Sequence, residues 1–414
     1  MPAALVETVK KLYKNCKVKI KVGKKYAEVN YTTGVHQGDN MSPVLFLFVI
    51  QAFLDTLQLS SRPTRYSYFP ENKNGNLNTT KGRLISQNTS AKGSLFEFTS
   101  SFYVDDSFFV FETRQELLQA ITELDKHFAR FGLIMHLGSE TTKSKSEAMF
   151  FPTSLKQARS DQTNNHVPEE LLLPNNKKVH FVSRFKYLGS IITPLLNEDA
   201  EIDARIKKAK SIMGASKYFF DNIDVDKRIK TEIYVAGPLN ALLWGCETWN
   251  LTKDNLKKIM VFHHGAIRRI LGIRWNQVRE QHIKNHEIRE IRCNIPNVDA
   301  FINKRTATYI GKVSRSNPES YPIKFLTAWI HGKRKNGAPQ LTCNNSFAKV
   351  IEKILPPDKP LSNKQAPLKE WLPLAKNESN WLEYIDTYFR SCRNIDYDEL
   401  NNPSSSDEAD DGGG

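Results

Sequence analysis

Apolar residues recur along the first part of the chain in changing periods, and each period predicts an element. Leu5, Val6, Val9 and Leu12 fall on one helical stripe, so residues 3–12 are expected to form an amphipathic helix. Val18, Ile20 and Val22 then alternate with lysines before Gly23, Lys24 and Lys25, the pattern of a strand entering the turn of a hairpin. Ser42 stands where an N-cap belongs and Pro43 at the first helical position. The nearly unbroken apolar run to Leu57 predicts a core helix buried on most sides. Residues 60–92 turn polar and carry Pro63, Pro70 and Gly75, which predicts a long surface insertion. Strands are expected at 94–103 and 107–112, so close that only a tight turn fits between them, and Asp105 and Asp106 fall at that hairpin tip. Thr113 can cap the next helix, whose stripe of Leu117, Leu118, Ile121, Leu124, Phe128 and Phe131 ends at Gly132.

Further strand signals at 148–151 and 185–192 complete a mixed first part. After Pro194 the pattern turns helical, at 198–220, 227–243, 253–271, 278–291 and around 303–313. The expected class is α+β, an antiparallel sheet with packed helices followed by a mainly α-helical region. The expected boundaries are 1–194 for the mixed domain with its insertion, 195–315 for the helical region, 316–400 for a basic C-terminal region, and 401–414 for a disordered acidic tail.

Charge adds a partner class. The 414 residues carry a net charge of +14, which suits a polyanion such as nucleic acid, although a solvated lysine face has the same composition. Basic residues cluster at Lys207, Lys208 and Lys210, at Arg268, Arg269 and Arg274, and at Lys333, Arg334 and Lys335. Five widely separated cysteines build neither a disulfide framework nor a CxxC zinc site, which fits an intracellular compartment. The most apolar run, 43–57, is too short to span a bilayer and contains Gln51 and Asp55, so no membrane segment is expected. Trp244 and Trp249 are expected to pack in the helical core.

Two adjacent carboxylates at a hairpin tip repel one another unless a cation neutralises them, and a divalent metal in phosphoryl transfer is one reason to hold them there. An Asp-Asp pair in a turn is otherwise a common solvated feature. The surrounding residues bear on the choice. Phe102-Tyr103-Val104-Asp105-Asp106 resembles the Tyr-x-Asp-Asp hairpin of reverse transcriptases. Upstream, Gly34-Val35-His36-Gln37-Gly38-Asp39-Asn40-Met41-Ser42-Pro43 followed by Leu45-Phe46 resembles the Gly-Val-x-Gln-Gly-Asp-x-x-Ser-Pro-x-Leu-Phe loop and helix of the non-LTR retrotransposon polymerases. Further segments follow in that family's order. Phe131-Gly132-Leu133 with Lys143-Ser144-Lys145 is similar to its Gly-Leu and Lys-Thr-Lys segment, and Phe185-Lys186-Tyr187-Leu188-Gly189 to its primer grip. Leu243 to Trp249, Arg268 to Gly272 and Gly332 to Pro339 are similar to its thumb and basic tail.

The resemblance implies a partial right-hand polymerase palm followed by a helical thumb, with RNA-directed DNA polymerase activity in the intact protein. Asp105 and Asp106 would hold two magnesium or manganese ions, and Lys143 would assist the leaving pyrophosphate. Gln37, Gly38 and Tyr103 would contact template or incoming nucleotide, and Tyr187, Leu188 and Gly189 would position the primer end. The implied partners are an RNA template, a DNA primer or duplex and deoxynucleoside triphosphates, in the nucleus. The family's third acidic residue comes from a strand upstream of Gly34 that is expected to be missing here, together with the fingers. Little or no polymerase activity is therefore expected of the chain alone, and a catalytically silent nucleic-acid-binding remnant is the alternative.

Overall fold

The computed structural model describes residues 2–32, 34–36, 38–68, 94–139, 142–288, 294–329, 343–362 and 368–393. Its class is α+β. Helix α1 (Ala3–Tyr13), strands β1 (Lys17–Val22) and β2 (Lys25–Asn30) and helix α2 (Ser42–Thr56) come first. Strands β3 (Thr64–Tyr68), β4 (Ser94–Phe98), β5 (Ser100–Tyr103) and β6 (Asp106–Phe109) and helix α3 (Arg114–Arg130) follow. Then come β7 (Glu147–Ala148), α4 (Leu155–Thr163), β8 (Leu171–Leu172), β9 (Lys178–Phe181), β10 (Phe185–Tyr187) and β11 (Ser190–Ile192). The helices after them are α5 (Asp199–Ala215), α6 (Lys217–Asp221), α7 (Lys227–Tyr234), α8 (Asn240–Leu242), α9 (Lys253–Ile270), α10 (Trp275–Glu280), α11 (Val298–Ser314) and α12 (Tyr321–Thr327). Strand β12 (Ala328–Trp329) and helices α13 (Cys343–Ile354), α14 (Leu368–Lys376) and α15 (Glu378–Ser391) end the chain's described elements. The strands form small sheets, β1-β2, β5-β6, β10-β11, β12-β3-β4 and β7-β9-β8, in which only β7 and β9 pair in parallel.

One compact unit contains Met1–Arg62, Thr99–Lys143 and Leu173–Lys177. Its core gathers round Phe53, which is fully buried and lies 4.4 Å from the ring of Phe128, 4.6 Å from His127 and 5.9 Å from Phe102. Helix α3 starts where Thr113 predicts, because the Thr113 hydroxyl accepts the Glu116 N–H at 3.1 Å while the Glu116 carboxylate accepts the Thr113 N–H at 3.3 Å. The burial expected of α2 is not found. Only Ser42, Ile50 and Phe53 are buried, and Val44, Leu47 and Phe48 are 51–55% exposed, because the rings round Phe53 cover one face only. Ser42 is not the cap either. It lies inside the helix with its hydroxyl 3.2 Å from that of Tyr13, and Met41 takes the capping position.

The other unit contains Pro63–Phe98, Ser144–Leu172 and the chain from Lys178. The expected insertion yields a strand at its start, since β3 pairs with β4 in the register Thr64↔Phe98 to Tyr68↔Ser94. Alternating aromatics explain it. Tyr66 stacks on Phe96 at 5.4 Å, and Phe325 of α12 meets Tyr66, Phe96 and Phe98 edge-on. Residues 69–93 of the insertion, the Lys333–Lys335 cluster with the Gly332–Pro339 segment, and the 401–414 tail lie outside the described residues. The single strand expected over 94–103 is two, because the chain changes partners at Thr99 from β3 to β6. The helix expected over 227–243 is interrupted by a π turn at Val235–Leu239, where Pro238 lacks the N–H that an α ladder needs.

Two apolar cores fill the helical region. The first is built on Ile202, Tyr234, Leu242, Ile259, Ile267, Val298 and Ile302, and the second on Ala307, Ile310, Ile351, Trp371, Trp381 and Ile385. Helix α11 contributes to both.

Candidate active site

The aspartate pair sits on the hairpin that its flanking residues predict. Strands β5 and β6 pair antiparallel with Phe102 opposite Ser107 and Tyr103 opposite Asp106, which leaves Val104 and Asp105 as a two-residue loop. Phe102 packs towards Phe53 at 5.9 Å and meets Phe109 edge-on at 5.5 Å, so one face of the hairpin is anchored in the core. Strand alternation puts Tyr103 and Asp106 on the opposite face, and Tyr103, Asp105 and Asp106 are all exposed. Val104 has φ +56°, the left-handed region that favours glycine and that a β-branched residue adopts at a cost of about 1–3 kcal/mol. A two-residue hairpin loop demands positive φ at its first or both central positions, so the strain follows from the tightness of the turn.

The upstream loop runs into α2 through turns made by its glycines and Asp39. Gly38 has φ +91° with open space where a Cβ would stand, so its requirement is one of backbone conformation. The Asp39 carboxylate accepts the Met41 N–H at 3.0 Å and so shapes the entry to the helix. The His36 ring stacks on Tyr13 at 4.6 Å and 11°. Gln37 lies outside the described residues. Lys143 is exposed and makes no ion pair with either aspartate among the described residues.

The Tyr187–Gly189 segment belongs to the other unit and forms its own hairpin, with Phe185 opposite Ile192 and Tyr187 opposite Ser190. Leu188 and Gly189 have φ +47° and +90°, both positive as a type I′ loop requires. Its support was not legible in the sequence. Glu201 of α5, 2% exposed, accepts the Ile191 N–H at 2.7 Å and Arg205 Nε at 2.6 Å, while Arg205 Nη2 donates to the Gly189 carbonyl. A Cβ on Gly189 would stand 3.2 Å from Trp244 Nε1, so the indole lies against the turn. Trp244 is 56% exposed and not the core residue expected, whereas Trp249 is buried. The Glu-x-x-x-Arg spacing at 201–205 puts the two on one helix face, but surface pairs share that spacing, so it does not signal this support.

A two-ion centre needs more than the pair. Among the described residues no third histidine, cysteine, aspartate or glutamate stands with Asp105 and Asp106 at distances that would hold a metal ion. Among the described residues the pair alone does not complete a two-metal site.

No protein-family model matches the chain, and no solved structure does. The chain is similar to a transposon-derived protein of Caenorhabditis elegans, 27% identical over 213 residues that cover 49% of this chain and 70% of that protein. The similarity points to an origin in a transposable element.

Proposed function

We propose that this chain is part of a reverse transcriptase of the non-LTR retrotransposon kind. In the intact protein Asp105 and Asp106 take part in metal-dependent nucleotidyl transfer from deoxynucleoside triphosphates onto a DNA primer along an RNA template. The observation that carries the reading is the Tyr103–Asp106 hairpin, with a strained two-residue tip, one face fixed on Phe53, and both carboxylates exposed. The transposon-derived similarity supports it. On this reading magnesium or manganese would supply charge neutralisation at the pair, Lys143 would stand near the leaving group, and Gln37, Gly38 and Tyr103 would face template or nucleotide. The Gly189 turn, held by Arg205 and Glu201, would steady the primer end. The work would be done in the nucleus.

A second reading has a specific observation behind it. Among the described residues no third metal-ligating group joins the pair, and on this reading the chain by itself would hold nucleic acid without transfer. Primer extension on an RNA template separates the two, using this chain and a version fused to its upstream genomic sequence. The first reading expects extension from the fused version only, abolished by Asp105→Asn with Asp106→Asn. Absence of extension from both versions, with salt-sensitive binding retained, favours the silent binder.

A further inference from the structure

The helical region contains an open cleft of about 840 Å³, bounded by α6, α7, the end of α9 and the turn into α10, and lined in part by the Arg268–Gly272 segment. Lys227, Lys230, Arg268, Arg269, Arg274 and Trp275 are among its lining residues. The one acid in that lining, Asp221, is already neutralised. Arg269 holds it through Nε to Oδ1 at 2.8 Å and Nη2 to Oδ2 at 3.1 Å, and these bonds keep the Asp221 carboxyl below its ordinary range. Lys230 also lines the cleft, with its stem covered and the residue 5% exposed, and its charge acts on Asp221 without an ion pair to it among the described residues. An anion entering the cleft would meet this cation beside the Arg269–Asp221 pair.

The geometry beside these cations depends on the end of α9. Gly272, at φ +68°, reverses the chain, with its N–H donating to the Arg269 carbonyl at 3.1 Å and the Ile273 N–H to the Arg268 carbonyl at 2.9 Å. The turn brings Trp275 back over Arg268, whose guanidinium carbon lies 4.5 Å from the ring centroid. Burial pulls the Arg268 pKa below its ordinary value. Its guanidinium donates to a neutral acceptor, Asn285 Oδ1, at 3.3 Å. Trp275 is 58% exposed, so one face of the indole carries Arg268 and the rest is open to the cleft and solvent.

We infer that this cleft binds a single-stranded nucleic acid, with a phosphodiester held by Lys230, Lys227, Arg268 and Arg274 and one unpaired base stacked on the open face of Trp275. Cations at the floor recognise the backbone without reading sequence, and a flat indole at the rim recognises the π-face that every base has. A duplex offers the phosphates but no free base face, so the indole selects for single strands. The assignment needs no chemistry at Asp105 and Asp106, and it stands or falls apart from the polymerase reading.

Fluorescence anisotropy with the full chain tests it, using labelled octauridylate and a labelled RNA duplex at several salt concentrations. Trp275→Ala should weaken octauridylate binding about tenfold while leaving duplex affinity within about twofold. Arg268→Gln with Arg274→Gln should flatten the slope of log affinity against log salt by about 0.7 for each phosphate no longer neutralised. Lys230→Met should lower octauridylate affinity with circular dichroism unchanged. Trp275 and Arg274 are exposed, so their variants report on binding even if the Lys230 variant unfolds. Octauridylate affinity and salt slope unchanged in the Trp275 and arginine variants would overturn the inference. So would displacement of the probe by uridine monophosphate at concentrations similar to those of unlabelled octauridylate, because the ligand would then be a free nucleotide. The binding is read without deoxynucleoside triphosphates or added divalent metal, so its failure is distinguishable from that of the polymerase reading, which primer extension tests.

Discussion

Glu201 is the side chain on which the Gly189 hairpin depends most, and its removal has a calculable cost. The carboxylate is 2% exposed and makes two bonds, accepting the Ile191 N–H at 2.7 Å and Arg205 Nε at 2.6 Å. The Arg205 side chain is itself only 14% exposed. Glu201→Ala leaves that guanidinium without its anion and an inner N–H without its acceptor, which costs about 3–5 kcal/mol for a broken buried pair. The double replacement Glu201→Leu with Arg205→Met removes both charges and leaves mainly the Ile191 N–H unsatisfied, at about 1–3 kcal/mol. The single variant should therefore be worse by about 2 kcal/mol, or about 30-fold in the local opening equilibrium. Hydrogen exchange of a peptide covering 185–192 reads that difference locally, without relying on a global unfolding transition. A single variant that accelerates exchange less than about fivefold, or a double variant worse than the single, would show that the pair does not hold the hairpin.

Packing and protonation elsewhere in the helical region support three more predictions. A Cβ on Gly311 would stand 2.6 Å from Trp381 Cδ1, and the fully buried indole is fixed by its bond to the Ala307 carbonyl at 2.8 Å, so Gly311→Ala should destabilise the C-terminal helices by about 1–3 kcal/mol. A lowered melting temperature with shifted tryptophan emission would show it; an unchanged melting curve would refute it. Burial raises the pKa of Glu198, with Glu201 and Asp199 adding to the shift, so its contribution is fully present below the ordinary carboxylate range and is lost as pH rises through the raised value. Glu198→Gln should flatten stability against pH between about 4.5 and that value, and a profile that keeps its slope there would contradict the sign. Burial, helped by Glu247, pushes the Cys246 thiol up to about 12, so iodoacetamide at pH 8 should leave it unlabelled in the folded chain and react once denaturant is added.

The features that a single side-chain period or a glycine determines were legible in the sequence. The β1-β2 turn at Gly23, the Thr113 cap and the β5-β6 hairpin all lie within a few residues of their cause, although the tip expected at Asp105 and Asp106 falls one residue earlier, at Val104 and Asp105. What failed depended on distant partners. Burial of α2 could not be read from its own sequence, because an apolar run does not say how many of its faces are covered. The strand at Thr64–Tyr68 needed Phe96 and Phe325 to become visible, and the position of Trp244 needed Gly189. The buried Glu201–Arg205 pair looks on paper like any surface pair four residues apart.

Helix α11 governs how the helical region melts. Its first half gives Val298 and Ile302 to one core and its second half gives Ala307 and Ile310 to the other, and Arg305 between them donates to the Leu243 carbonyl at 3.0 Å and to Asn240 Oδ1 at 2.7 Å. Neither core can lose the helix without taking a wall from its neighbour, so the two should come apart as one cooperative foldon. A strand gripping Lys230 and Arg268 would then protect α13–α15 from exchange without touching them, because occupancy at one end of a shared unit stabilises the whole of it.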